Sequence, residues 1–469
     1  MPLSTANFTT TATHVIQSDH SISLPDPYML GPFDHLYHFA TPVNAVWIYQ
    51  SSPSVNLIPV ERLRKAIRRF LDYYPHLTGR LRIDPATGVR SMTRLGTGIH
   101  FFEAHCDAPL RSFARSPSAP DTELSVFDFP NAGNALLAPW DPTLEGAQRD
   151  PILTIQRTEF ACSSVALGVR ISHVLCGAGS FLGLYQDLAA IYRAMADPAT
   201  AAGNKIGLTS PPHHPPFMVS EMLHMGDHER RQALADPPAA YNPIVGRSLR
   251  FSAAAVLSLK AQAVNPDTPC ARVSAFTALA AHIWQRVQRA RLLADTNTEG
   301  KTMGSSVFGT SVNFLPHLSL PDRTFGNTVV TPVIELESTA LTQAPLWQIA
   351  GLINDRVRHV SPAEVRQLGR WIAAQPDTSR IQLNFPVMAA APFIATGWHR
   401  FPLYAGAEMD GVAPSLASPV FMDALFDGMV YFVEPKVRDG GVEAVASLRR
   451  SIWACLERDE GFGGAWDGV

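Results

Sequence analysis

After Pro59, Leu63, Ile67, Phe70 and Leu71 recur at helical spacing while Arg62, Arg64, Lys65, Arg68 and Arg69 take the opposite face. This pattern predicts an amphipathic helix that Pro75 terminates. The next segment, LTGRLRID, predicts a strand, and ILTIQRTEF and SVALGVRIS predict an antiparallel hairpin closed by a short polar turn at Cys162 to Ser164. A second helix is expected from about Phe181, with Leu184, Leu188 and Ile191 on one side, until the DPAT sequence at Asp197 stops it. From Pro198 to Val245 periodicity dissolves into SPPHHPP and DPPAAYNP, which predicts an irregular crossover with one short polar helix around Glu221.

The later half shows the same rhythm. Ser274 is a candidate N-cap for a helix carrying Phe276, Ala280, Ile283 and Val287 on one face, and SSVFGTSVNF then reads as a strand. In ALFDGMVYFVEP, Asp427-Gly428 sits between hydrophobic runs and predicts a hairpin turn, followed by a strand at GVEAVASL. The expectation is an α/β protein of two similar domains, each a mixed sheet with helices packed on it. Residues 1–197 form the first domain, 198–245 the linker and 246–469 the second. No short internal repeat is present.

Composition narrows the function. A chain of 469 residues with 46% hydrophobic content is globular and too long for one ordinary core. Its 38 basic and 41 acidic residues, net −3, form no long runs, so there is no electrostatic footprint for nucleic acid or an anionic membrane. A small-molecule substrate is expected instead. No run of about 18 apolar residues could form a membrane-spanning helix. The first twenty residues lack a basic n-region, an apolar h-region and any Arg, which predicts neither a signal nor a transit peptide and a cytoplasmic protein. The five cysteines, Cys106, Cys162, Cys176, Cys270 and Cys455, are widely spaced without CxxC and read as reduced thiols, with no metal site.

Along SVALGVRIS, Val165, Leu167, Val169 and Ile171 alternate with Ala166, Gly168, Arg170 and Ser172, and His173 falls on the apolar parity. It is expected to leave the strand pointing inward, followed by Gly177, Ala178 and Gly179, which permit a tight turn and close approach of a ligand. A satisfied core histidine would show the same pattern. GAGSFLG lacks the spacing and downstream acid of a dinucleotide loop, and GxSxG, P-loop and HExxH motifs are absent. Cys176 reads as a structural thiol rather than a nucleophile. His213-His214, set among prolines, reads as solvated.

Six segments in order resemble the BAHD acyltransferases, particularly fungal members: FLDYYPHLTGRLR, RISHVLCGAGSFLGLYQDLAAIYR, VSAFTALAAHIWQRVQRAR, TFGNTVV, TGWHRFPLY, and DGMVYFVEP with DGGVEAVASL. The likeness spans nearly the whole chain. It implies a chloramphenicol-acetyltransferase-like fold with an active-site channel between the two domains, open to coenzyme A on one side and to the acceptor on the other. It further implies a monomer with no tightly bound cofactor and acyl-CoA as co-substrate. His173 takes the place of the family's general base, and Thr396 and Trp398 match positions that line the active site near the developing oxyanion.

Two departures accompany the likeness. The family's HxxxDG reads His173-Val174-Leu175-Cys176-Gly177-Ala178, without its Asp, and the strand expected to supply that Asp's Arg partner reads VNFLPHL, with Leu315 or His317 at the corresponding positions. Joint loss of both partners of a buried ion pair is nearly neutral, whereas loss of one strands a charge at about 3–5 kcal/mol. The family's DFGWG, which supports the coenzyme A side of the channel, reads Ala407-Glu408-Met409-Asp410-Gly411. The leading expectation is acyl transfer from acyl-CoA to a hydroxyl of a small specialised metabolite. The alternatives are a CoA-independent cyclase, isomerase or condensing enzyme using His173, and a non-catalytic metabolite-binding relative.

Overall fold

In the computed structural model, the described residues are 6–51, 55–114, 124–196, 207–214, 243–268, 272–295, 304–381, 391–421, 426–463 and 467–468. The helix expected after Pro59 is α1, Val60–Leu71, and it buries Leu63, Ala66, Ile67, Phe70 and Leu71. Five strands of the first half enter its six-stranded sheet: β1 (Phe8–Ile16), β2 (Pro42–Tyr49), β3 (Ile99–Cys106), β4 (Leu153–Phe160) and β5 (Val165–Ser172). The expected hairpin is the antiparallel pair β4 and β5, with Leu153 opposite Ile171. The second helix, α2, runs Ala178–Ala194 and starts three residues before Phe181, because Gly177 serves as its N-cap.

Strand alternation did not describe β5 correctly. All eight of its residues are buried, including Ala166, Gly168, Arg170 and Ser172 on the face expected to be polar. A strand covered on both sides has no wet face, so parity carries no information about which way His173 points. Arg170 stays in the interior because its guanidinium donates to the carbonyl of Ala138 (2.8 Å) and to the side-chain oxygens of Asn44 and Asn134 (both 3.2 Å).

The later half supplies β6 (Ile244–Phe251), α3 (Ala275–Asp295), β7 (Ser305–Thr310), β8 (Val333–Glu337), β9 (Pro392–Gly397), β10 (Leu416–Pro419), β11 (Met429–Val433), β12 (Val442–Arg449) and β13 (Asp467–Gly468). Ser274 caps α3 as expected, its hydroxyl accepting from the N–H of Thr277 at 3.0 Å. Seven strands form one mixed sheet in the order β8-β7-β9-β11-β12-β6-β13. A chain division at 245/246 falls inside β6.

The other sheet has the order β1-β3-β4-β5-β2-β10, so its last strand comes from the far end of the chain. This overturns the hairpin expected at Asp427-Gly428. The strand before that turn, β10, pairs with β2 in the first sheet, whereas β11 after it pairs with β9 and β12 in the second. The core crosses with it: Trp398, Leu403, Ala407, Met409, Phe421 and Val433 pack in the same hydrophobic cluster as α1 and α2. Trp47 is held in that cluster by stacking on Tyr185 and by donating its ring N–H to the carbonyl of Leu403 at 3.0 Å. The short helix expected near Glu221, and Cys270, lie outside the described residues.

Candidate active site

His173 is the first residue past β5, and its N–H continues the ladder by bonding to the carbonyl of Thr41 at 2.8 Å. Val174, Leu175 and Cys176 then plunge into the core, each at most 3% exposed, and anchor the turn. Burial raises the Cys176 thiol well above its ordinary range, which leaves it protonated and inert. The imidazole of His173 is half-buried, with the ring of Tyr37 stacked on it at 3.8 Å between centroids and 9° between planes.

The edge of the ring is set by Asn327, which the sequence reading did not single out. Its Nδ2 donates to Asp34 Oδ1 (2.9 Å) and to the carbonyls of His173 (2.8 Å) and Val174 (3.2 Å). Those three atoms can only accept, so Oδ1 must be the atom that faces His173 Nδ1 at 3.2 Å. The proton of the neutral imidazole therefore sits on Nδ1, and the lone pair sits on Nε2, which has no hydrogen-bond partner among the described residues. Burial pushes the His173 pKa down to about 4, against the opposing pull of its own backbone and of Asn327, so the ring is neutral at physiological pH. A neutral imidazole with a fixed tautomer and a free Nε2 is a competent proton acceptor.

The missing Asp of the HxxxDG-like segment is replaced by a different fastening. The N–H of Gly177 bonds to the carbonyl of Gly326 at 3.2 Å, and Ser180 Oγ exchanges hydrogen bonds with both the N–H and the carbonyl of Gly326 (3.2 and 3.0 Å). Gly326 presents both groups to the start of α2 at φ 145°, a conformation that only glycine reaches without strain. Leu315 and His317 do not lie on a strand as expected. They belong to a short helix, Leu315–Leu318, favoured by Pro316 in its first turn. A partly buried ion pair joins the halves: Arg323 meets Asp187 of α2, which also accepts from Tyr74 OH at 2.6 Å. That pair lies four residues before Asn327 and fixes the segment carrying it.

The Ala407–Gly411 segment is likewise rebuilt as an anchor. Ala407 and Met409 are fully buried. Asp410 accepts from Arg62 of α1, from Tyr192 OH (2.8 Å) and from the N–H of Ile58 (2.7 Å). Arg193 donates to the carbonyls of Gly406 and Glu408, and Tyr49 OH to that of Ala407. Thr396 lies on β9 opposite Tyr431 of β11, half-buried. Trp398 follows it, 4% exposed, with its ring 5.5 Å from Tyr431 and 6.2 Å from Phe181.

Behind Asn327 lies a cavity of about 70 Å3 lined in part by Tyr28, Asp34, His76, His214, Phe325 and Asn327. The expectation that His214 is solvated is overturned. Its Nε2 hydrogen-bonds the carbonyl of Tyr73 at 2.8 Å, and its ring lies 4.7 Å from that of His76. No group of three or more metal-ligating side chains occurs among the described residues, and no helix there is long and apolar enough to cross a membrane.

Two mixed sheets with helices packed on them, and an oriented neutral histidine at the end of a central strand, define the scaffold of a chloramphenicol-acetyltransferase-like acyltransferase. The chain belongs to the BAHD acyltransferase family: the family model described as Transferase family matches residues 6–460. It is 23% identical over 443 residues to shikimate O-hydroxycinnamoyltransferase of Nicotiana tabacum, covering 90% of this chain and 92% of that protein. It is 24% identical to (Z)-3-hexen-1-ol acetyltransferase of Arabidopsis thaliana, covering 92% and 89%. In fold it is similar to F. sporotrichioides TRI101 complexed with coenzyme A and T-2, with a TM-score of 0.70 at 17% identity over 94% of this chain and 99% of that one. Vinorine synthase gives 0.69 at 16% identity over 98% and 99%.

Proposed function

We propose that the protein transfers an acyl group from an acyl-CoA thioester to a hydroxyl of a small specialised metabolite, with His173 as general base. The observation that carries this reading is the contact between His173 Nδ1 and Asn327 Oδ1, which leaves Nε2 free to accept a proton. Acyl-CoA use is supported by the coenzyme A in the TRI101 complex, and oxygen as the acceptor atom by the activities named for the tobacco and Arabidopsis relatives.

In this reaction the acceptor hydroxyl gives its proton to Nε2 as its oxygen attacks the thioester carbonyl. The tetrahedral oxyanion collapses, the C–S bond breaks, and the thiolate takes the proton back from the imidazolium, leaving an ester and free coenzyme A. Thr396 and Trp398 are placed near the oxyanion in this scheme, with the Thr396 hydroxyl as donor. The enzyme works as a cytoplasmic monomer without a tightly bound cofactor. Thiol release from a panel of acyl-CoA donors, each tested with hydroxylated acceptors, measures the activity. His173→Ala is expected to lower the rate by about 10²–10⁴-fold. A folded variant of undiminished rate would remove His173 from this role.

A further inference from the structure

We infer that Asp34 is a positioning residue that acts on His173 through the Asn327 amide, stabilising the positive charge the imidazole acquires when it takes the acceptor's proton. The inference rests on the general-base reading above and deepens it. Burial opposes the charged form of His173, so the imidazolium that forms on proton transfer needs stabilisation. A group that is silent while the ring is neutral but favours the imidazolium is what such a site requires.

Asp34 fits that requirement by geometry. It lies in the turn Pro32–Leu36, where its Oδ2 accepts from the N–H of Gly31 at 2.8 Å. Its Oδ1 accepts from both the backbone N–H (3.3 Å) and Nδ2 (2.9 Å) of Asn327. The carboxylate polarises the amide, and the amide presents its oxygen to Nδ1–H. The arrangement runs carboxylate, amide, imidazole, each link made by a hydrogen bond of 3.2 Å or less.

The other groups around Asp34 leave it as the charge that responds. Arg90 donates to the backbone carbonyl of Asp34 rather than to its carboxylate. His35, in the same turn, is held neutral by burial. Tyr28, Tyr37 and Cys176 are all pushed up and protonated, each raised further or held there by the nearby Asp34 charge. Across the cavity His76 and His214 are both pushed down by burial and neutral. Burial also raises Asp34 itself to about 6, with its hydrogen bonds opposing, and the cavity it lines gives it access to protons.

The experiment compares the enzyme with Asp34→Asn, which keeps the shape and removes the charge. Folding is checked by thermal unfolding and by the Kd for the acyl-CoA donor. In the wild type, kcat/KM is expected to fall as pH drops through about 6, while His173 is still unprotonated. In Asp34→Asn the expectation is a kcat about 10- to 100-fold lower at neutral pH, an unchanged donor Kd, and no limb near pH 6. A residue that only holds the turn in shape would not remove that limb.

A second readout needs no turnover. With isotope-labelled histidine, the His173 ring resonances, assigned by their absence in His173→Ala, are expected to shift as Asp34 titrates near pH 6 in the wild type and not in Asp34→Asn. A wild-type His173 signal that is flat through pH 6 overturns the inference, as does a folded Asp34→Asn enzyme that keeps both its kcat and its limb. A wild type that consumes no acyl-CoA yet shows the shift overturns the proposed reaction and leaves the Asp34 link standing.

Discussion

Replacing Asp410 by Ala removes an acceptor that three groups share. The side chain is 8% exposed, and it faces Arg62, Tyr192 OH and the N–H of Ile58. Ile58 sits at φ 49°, an unfavourable conformation for a β-branched residue, and it is pinned there by Asp410 on its N–H and Arg157 on its carbonyl. Breaking the pair leaves the partly buried Arg62 uncompensated, at about 3–5 kcal/mol. Asp410 itself lies at φ 52°, and Ala tolerates that region less well by about 1 kcal/mol. The total expected loss is about 4–6 kcal/mol. Asp410→Asn keeps the acceptor for Ile58 and is at home at positive φ, but it leaves Arg62 equally uncompensated, so about 3–5 kcal/mol is expected there, from the lost charge alone. Urea unfolding followed by tryptophan fluorescence separates the two. At an m-value of roughly 3 kcal/mol/M, the first transition of Asp410→Ala moves down by about 1.5–2 M, and that of Asp410→Asn by about 1–1.5 M. Equal midpoints for Asp410→Ala and the wild type, at the same m, would show that the segment is not held by this carboxylate.

Stability is also expected to fall steeply on acidification below about pH 6.5. Burial lowers His35, His173, His282 and His399 from 6.5 to about 4, so between these values the unfolded chain binds more protons than the native one and stability declines as pH falls. At pH 5 each amounts to about 2 kcal/mol, while Asp34, raised from 3.8 to about 6, works in the opposite direction by about 1 kcal/mol. A urea midpoint that is flat between pH 7 and 5 would contradict these directions. Gly177→Asp, which restores the family's residue, is expected to lower kcat by about 10-fold rather than raise it. Backbone geometry permits the side chain, but the nearest atom to its Cβ is Asn327 Oδ1 at 3.7 Å, which sets a second acceptor against the one His173 uses.

The elements with one dry and one wet face were legible in the sequence. The stripe of α1 matches its buried residues, and the cap at Ser274 falls where its hydroxyl predicts. The interior strand β5 was not legible, because burial on both faces erases alternation. His173 became a strong candidate through resemblance, not periodicity. Asn327 and Asp34 lie 154 residues after and 139 before it, in short irregular segments with no periodic pattern. TFGNTVV did contain Asn327, but nothing local announces that its amide turns back on a distant imidazole. The Asp187–Arg323 pair was invisible for the same reason: a pairing across 136 residues leaves no local trace.

The strand β10 has a consequence for how the chain is made. Its neighbour β2 is complete once Tyr49 leaves the ribosome, but the segment that covers it arrives only after the 367 residues separating Ile48 from Ser415. At roughly 5–20 residues per second, that flank of the first sheet stays uncovered for about 20–70 s of synthesis. An open strand edge is a template for foreign pairing throughout that time. Truncated N-terminal fragments keep it open permanently, so they are expected to aggregate when produced alone and to be rescued by co-expressing the remainder of the chain.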